Sequence, residues 1–239
     1  MRKLFALVLV AILILPSASF ASEQNLMTEL EGMLNSPISL SDIESVIKKY
    51  PPEESSNEQG REDLRVYENT PAGKYVQDNG TWFVFDRKGG GKVGAFVFHG
   101  GSTSLMELSL GKGIGTEANT CQKTTTCIGR VAATGSDLFW LKAVGDFWYN
   151  GSSSSITYND GDYGRYFLGG GLTLTPLYMG STRTYYLDGH RYSEVFTRIK
   201  AEFTTNIKYA TWTFTGGTVE SYVGTTVTGN TYGGCKRIS

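Results

Sequence analysis

The chain has 239 residues, and its 22 Lys and Arg residues nearly balance its 23 Asp and Glu residues. Because there is no large basic excess, a nucleic acid is excluded as the expected partner. Only 19% of the residues are charged, whereas 30 residues are glycine and 13% are aromatic. This composition favours short β-strands joined by tight turns.

Residues 1–21 are typical of a signal peptide. Arg2 and Lys3 precede an apolar run at residues 4–15, and Ser19 and Ala21 supply the small side chains that a signal peptidase needs. The run makes about 18 Å of helix, well short of the hydrocarbon core of a membrane. We therefore expect cleavage near Ala21 and a mature protein that is secreted or held at the cell surface.

Residues 22–50 are predicted to form a helical hairpin. Leucines recur at four-residue spacing in its first half, and a second apolar face follows a capping-box match of Ser41 with Glu44. The side chains on these two faces are Leu26, Leu30, Leu34, Ile43, Val46, Ile47 and Tyr50. Residues 51–63 have no strong apolar side chain, so we predict a flexible acidic linker there.

The charge of this N-terminal segment differs from that of the remaining chain. Residues 22–63 carry a formal charge of −7, whereas residues 64–239 carry +4. Such asymmetry indicates two units with different roles. Three interpretations stay open: a helical cap fixed on the rest of the protein, a propeptide that is removed after export, or an accessory docking hairpin.

Residues 64–239 predict an antiparallel all-β domain, sandwich-like or jelly-roll-like. Asp188 and Gly189 form a strong signal for a two-residue hairpin turn, and Gly216 and Gly217 are expected to separate two further strands. The predicted strands include residues 74–77, 81–86, 92–98, 182–187, 190–203, 207–214 and 218–223.

Apolar and polar side chains alternate along residues 190–203. This period of two predicts one buried face and one wet face. The buried face is expected to hold Val195, Thr197, Ile199, Ala201 and Phe203, and the wet face Glu194, Arg198, Lys200 and Glu202. A glycosidase would need two carboxylates that converge across a cleft. The strand-borne candidates are Glu107, Glu194, Glu202 and Glu220.

Three cysteines allow three disulfide pairings, each of which leaves one thiol over. Cys121 and Cys127 are close enough in sequence to staple a loop, and either of them could instead reach Cys235 and pin the C-terminus. Export makes such a bond chemically permissible. The sequence therefore predicts a structural disulfide and leaves its partners open.

Residues 159–164 carry the best metal-ligating pattern. Asp160 and Asp162 alternate with glycines there, and oxygen ligands in a tightly curved loop are what calcium prefers. Calcium is the one cofactor that the sequence suggests, and a plain Gly-rich turn is the competing interpretation.

Aromatic side chains are the second functional signal. Trp148, Tyr149, Tyr158 and Tyr163 lie among Gly, Ser, Asn and Asp residues. Aromatic rings in such a setting stack on sugar rings, while neighbouring carboxylates and amides bind hydroxyl groups; the same mixture also makes adaptable protein-binding loops. We predict a binding protein whose ligand is a polysaccharide or another cell-envelope polymer.

Three other classes of protein stay open. Thr- and Ser-rich alternating segments at residues 207–214 and 221–228 resemble the strands of secreted β-pore proteins, the one class that would make a membrane the partner. A carbohydrate-active enzyme and a polymerising surface subunit are the others. The chain has no G-x-S-x-G and no H-E-x-x-H motif, which favours binding over catalysis. The sequence does not predict the oligomeric state.

Overall fold

The computed structural model describes residues 18–50, 63–99, 103–111, 120–130, 137–166, 171–187, 190–208 and 213–238. The helices are α1 (Ala18–Gly32) and α2 (Leu40–Lys49). The strands are β1 (Asp63–Tyr67), β2 (Gly73–Gln77), β3 (Gly80–Asp86), β4 (Gly91–Phe98), β5 (Thr103–Gly111), β6 (Thr120–Arg130), β7 (Asp137–Tyr149), β8 (Ser154–Arg165), β9 (Leu172–Leu187), β10 (His190–Lys208), β11 (Thr213–Thr226) and β12 (Thr231–Arg237).

The strands form two antiparallel sheets. One sheet has seven strands in sequence order from β2 to β8, and the other has five strands in the order β1-β12-β11-β10-β9. The chain therefore changes sheets after β1 and again after β8. The predicted all-β fold with short N-terminal helices is confirmed.

Strands β3 and β4 are apolar along nearly their whole length because both faces of the sheet are covered there. Trp82 and Val84 point towards the five-stranded sheet and pack with Val66 of β1. Phe83 and Phe85 alternate with them and pack against the helices on the other side. The period of two is hidden in the sequence because both sets of side chains are buried.

The two helices pack on the outer face of β3 to β5. Their apolar side chains share one cluster with the outward side chains of these strands, so the helical segment packs against the sheet. The fully or almost fully buried members of this cluster from the helices are Leu26, Leu30, Ile43, Val46 and Ile47. The apolar spacing predicted from the sequence is confirmed for these five residues.

Ser39, and not Ser41, caps helix α2. The Ser39 hydroxyl accepts a hydrogen bond from the Asp42 N–H at 3.3 Å, and the Asp42 carboxylate accepts one from the Ser39 N–H at 2.8 Å. The Ser39 N–H, followed by Lys88 from the β3–β4 turn, holds the pKa of Asp42 at about 2. The capping box predicted at Ser41 and Glu44 was two residues too late, because Asp42 also completes the motif.

We expect the Ser39→Ala variant to lower the free energy of unfolding by about 0.5–2 kcal/mol, because an N–H at the start of α2 loses its partner. The Ser41→Ala variant is the matched control, and it should change the free energy of unfolding by less than Ser39→Ala. Chemical denaturation of both variants measures the difference. Equal losses in both variants would contradict the assignment of Ser39 as the cap.

Two predicted turns are wrong. Gly216 and Gly217 pair with Glu202 and Ala201 inside β11, so they do not separate two strands. Residues 159–164 lie within β8 and pair with β7, so they do not form a loop. Both errors have the same cause: glycines occur inside these strands as well as in turns, and glycine inside a strand often marks a close approach of another chain segment.

Some predictions fall on residues outside the described ranges. These are the signal peptide up to residue 17, residues 51–62 of the predicted linker, the turn at Asp188 and Gly189, and residues 209–212 of the predicted strand 207–214. Asp63, at the predicted end of the linker, is the first residue of β1. Among the described residues, neither helix has the length and hydrophobicity needed to cross a membrane.

Candidate functional site

Strand β7 presents two different faces. Leu141, Ala143 and Phe147 are buried between the sheets, and the side chains that alternate with them are half-exposed on the outer face of the seven-stranded sheet. The paired strand β8 adds outward side chains beside them. We call this surface the β7–β8 face; it consists of Trp140, Lys142, Val144, Asp146, Trp148, Tyr158, Asp160 and Asp162.

Tyr158 is the most exposed aromatic residue of the β7–β8 face. Its side chain is 46% exposed, and its hydroxyl donates a hydrogen bond to the Asp160 carboxylate at 3.2 Å. The Asp160 carboxylate raises the pKa of Tyr158, because it favours the protonated phenol. Trp148 lies at the end of the same face, opposite Ser155 of β8.

The structure separates the four predicted aromatic residues into two pairs. Trp148 and Tyr158 lie on the β7–β8 face. Tyr149 lies on the opposite side of β7, where its ring covers Gly229 in the turn before β12, and Tyr163 packs partly buried against the core between the sheets. Successive side chains of a strand point to opposite faces, so neighbours in sequence such as Trp148 and Tyr149 do not form one surface.

Trp140 is a member of this face that the sequence did not single out from the core. Its ring lies over Gly164 of β8, where a Cβ atom would come within 2.7 Å of the indole Nε1. Trp140 and Trp148 are eight residues apart on one strand, a separation of about 26 Å. The sequence signal that could have identified this packing is the glycine at the β8 position that pairs with Trp140 of β7.

Asp146 has a buried carboxylate oxygen, Oδ1, that has no hydrogen-bond partner in the part of the chain that the structure describes. The residue is paired with Tyr158 across β7 and β8, and it lies between the two tryptophans. A buried polar atom without a hydrogen bond is rare and costs free energy.

Asp160 uses both carboxylate oxygens within its own strand, since Oδ2 accepts the hydrogen bond from the Tyr158 hydroxyl, whereas Asp162 uses one. Asp160 Oδ1 accepts a hydrogen bond from the Gly161 N–H, and Asp162 Oδ1 accepts one from the Tyr163 N–H, both at 2.8 Å. Among the described residues, no group of three or more His, Cys, Asp or Glu side chains is arranged to hold a metal ion. Calcium binding at these two aspartates stays a prediction, now on an extended strand.

Two of the four strand-borne glutamates converge on the outer face of the five-stranded sheet. Glu194 and Glu220 both bind the guanidinium of Arg183, and Glu220 also accepts hydrogen bonds from Arg198 and Lys236. Both carboxylates are almost completely buried. The prediction that Glu194 faces water was therefore wrong, because Arg183 from β9 and Tyr232 from β12 cover it.

This cluster has the properties of an ion network that stabilises the sheet. Burial raises the pKa of Glu220, but hydrogen bonds from Arg183, Lys236 and Arg198 outweigh that effect and hold the pKa below its ordinary value. A general acid needs a raised pKa, so Glu220 is unsuited to that role. The other two glutamates also form ion pairs, Glu107 with Arg87 and Glu202 with Lys200.

The fold and the β7–β8 face together define a β-sandwich protein with a half-exposed aromatic and acidic sheet face. No family model, no curated protein and no solved structure matches this chain.

Proposed function

We propose that the protein is exported and binds a glycan or another cell-envelope polymer through the β7–β8 face. The observation that carries this proposal is the shared outward face on which the half-exposed Asp146 lies between Trp140 and Trp148 and beside the exposed Tyr158. A sugar offers both an apolar ring face and hydroxyl donors, and this surface offers the counterpart of each.

The aromatic residues of the face are suited to an extended ligand. Trp and Tyr rings present an apolar body with a polar tip, which matches a sugar ring with its hydroxyl groups. The tryptophans lie at the two ends of the face, and Asp146, Asp160 and Lys142 lie between them. A linear polymer can therefore contact stacking platforms at both ends and polar groups in the middle.

We expect the Trp148→Ala variant to bind insoluble envelope polysaccharide about tenfold or more weakly than the wild type, because it loses an aromatic contact at the end of the face. Asp146→Asn should weaken binding as well, since it removes the negative acceptor. Co-sedimentation of the full chain with the polysaccharide measures both effects.

The matched control is Tyr186→Ala. Tyr186 is also an exposed aromatic residue, but it lies on the five-stranded sheet. Unchanged sedimentation of this variant would show that the effect of Trp148 belongs to the β7–β8 face. Wild-type protein that pellets with liposomes and not with polysaccharide would contradict the proposal in favour of a membrane-active protein.

Export also leads us to propose a disulfide between Cys127 and Cys235. The Cys235 side chain packs against one cluster that contains Met106 and another that contains Leu141. Met106 and Leu141 are the two residues paired with Cys127 along β6. Cys235 therefore lies opposite this position of β6, and a bond would join the two sheets.

Peptide mapping under non-reducing conditions tests this pairing. Trypsin cuts after Lys123, so Cys121 and Cys127 fall on different peptides. We expect a linked peptide that contains Cys127 and Cys235 in protein purified from the medium. A peptide in which Cys121 is linked to Cys235 would contradict the proposed pairing.

A further inference from the structure

Three large apolar side chains in succession are exposed on strand β9. Leu177, Tyr178 and Met179 are 43%, 53% and 49% exposed. In a regular strand, at least one of three successive side chains points into the sandwich. We call these three residues the β9 strip. Apolar side chains that are contiguous on a surface usually mark an interaction site.

Irregular pairing holds the β9 strip outside the sandwich. Tyr178 pairs with Arg198, but the register shifts on both sides of this pair. Pro176, just before the strip, cannot donate a hydrogen bond, and Gly180, just after it, has a φ of +64°. Bulges of this kind re-aim side chains at the edge of a sheet, and β9 is an edge strand.

The strip rests on a closed edge of the sandwich. A Cβ atom on Gly161 of β8 would lie 2.2 Å from the Thr197 hydroxyl oxygen and 2.8 Å from the Gly180 nitrogen. The two sheets approach each other so closely here that only a glycine fits. The backbone beside the β9 strip therefore has little room to move towards the core, and the three side chains stay exposed.

Opposite charges lie on the two sides of the strip. On the outer face of the five-stranded sheet, the guanidinium of Arg198 lies 5.4 Å from the ring centre of Tyr178. Arg198, Arg183 and Lys236 share an ion network with the two carboxylates of Glu220 and Glu194, so three cations and two anions leave this face with a net charge of +1 from the network. On the outer face of the seven-stranded sheet, the Asp160 Cα lies 3.4 Å from the Cβ position of Gly180, and Asp162 follows. The strip thus separates a cationic side from an acidic side.

We propose that the β9 strip binds a second copy of this chain. If the two-fold axis runs parallel to the strands, the two strips meet and the cationic side of one copy lies beside the acidic side of the other. A two-fold interface must be self-complementary, and this arrangement of charges meets that requirement. Tyr, Met and Arg are also the residues enriched in protein interfaces.

The dimer has a consequence that rests on the proposed glycan-binding function. The same axis places the two β7–β8 faces on opposite sides of the dimer. One dimer therefore binds two polymer chains and cross-links them, whereas a monomer only coats one chain.

Sedimentation velocity of the full chain over a wide range of concentration tests the dimer directly. We expect wild-type dimers and complete loss of the dimer in the Leu177→Asp/Met179→Asp variant. Both substitutions are at exposed positions and should leave the fold intact, which circular dichroism verifies. Asp162→Lys and added salt should each weaken the dimer, because both reduce the attraction between the two sides.

The matched control is Val76→Asp. Val76 is exposed on β2, the edge strand at the other end of the seven-stranded sheet, so this variant should dimerise like the wild type. A wild-type protein that stays monomeric at all concentrations overturns the proposal, and so does a dimer that survives Leu177→Asp/Met179→Asp. Monomers that pellet with phosphatidylglycerol vesicles through the strip also overturn it. A dimer that does not pellet with the polysaccharide contradicts only the glycan-binding function, and a dimer that pellets with the polysaccharide without aggregating it contradicts only the cross-linking.

Discussion

The Glu220→Gln variant is expected to lose about 3–5 kcal/mol of the free energy of unfolding. Glu220 is completely buried, and it accepts hydrogen bonds from Arg183, Arg198 and Lys236. Glutamine has nearly the same shape but no charge, so three cations would stay close together with one buried anion, Glu194, among them. Urea denaturation of the two proteins measures the loss.

Glu202→Gln is the matched control for this prediction. Glu202 pairs with Lys200 on the same strand, but its side chain is 47% exposed, so water and salt screen the pair. Exposed ion pairs contribute about 0–1 kcal/mol, and we expect a loss in that range. Similar losses in the two variants would contradict the argument that burial determines the strength of the Glu220 network.

The same network makes stability depend on pH in the acid range. The pKa of Glu220 is lower in the folded protein than its ordinary value of 4.5. A depressed folded pKa contributes stability that is fully present above the unfolded pKa and is lost as the pH falls through the folded pKa. The wild type should therefore lose stability below about pH 4.5, and Glu220→Gln should lack this part of the dependence.

The sequence predicted those features that depend only on residues close to one another in the chain. The helical faces with Leu26 and Ile47, and the alternation of Val195 with Glu194, follow from the periods of helices and strands. The strands at residues 74–77, 81–86 and 92–98 differ from the observed β2, β3 and β4 by one residue at the most. These features need no knowledge of distant contacts.

Features that depend on distant contacts were not predicted. Glu194 is on the outward face of β10, as the alternation predicts, but Arg183 and Tyr232 cover it from two other strands. Their positions depend on the order of strands in the sheet, which no local pattern encodes. The strand order also decides which carboxylates converge, so only the structure identifies Glu194 and Glu220 as the pair.

The grouping of the aromatic residues failed for a different reason. Trp148 and Tyr149 were grouped because they are adjacent in sequence, although the alternation of a strand separates adjacent side chains. The Asn, Gly and Ser residues that follow Tyr149 are also typical of a loop, in which side chains do not alternate between two faces. Once β7 and β8 are recognised as strands, the period of two selects Trp140, Trp148 and Tyr158 together.

A substitution in the buried face of the helices is the second one for which we expect a large loss of stability. Its result also distinguishes the three interpretations of the N-terminal segment. Leu30 is completely buried and shares a cluster with Phe83 and Phe85 of the sheet. We expect the Leu30→Ala variant to lose about 2–5 kcal/mol of the free energy of unfolding, because a cavity opens between α1 and β3. Differential scanning calorimetry should show one cooperative transition at a lower temperature.

Val76→Ala is the control, since this exposed position on β2 should change the free energy of unfolding by no more than about 0.5 kcal/mol. A fixed cap unfolds together with the sheet, because six buried side chains on β3 to β5 would otherwise be exposed to water. A docking hairpin or a removable propeptide would melt separately and leave the main transition at its wild-type temperature. Such a second transition in Leu30→Ala would contradict the cap and would make residues 22–50 a detachable segment.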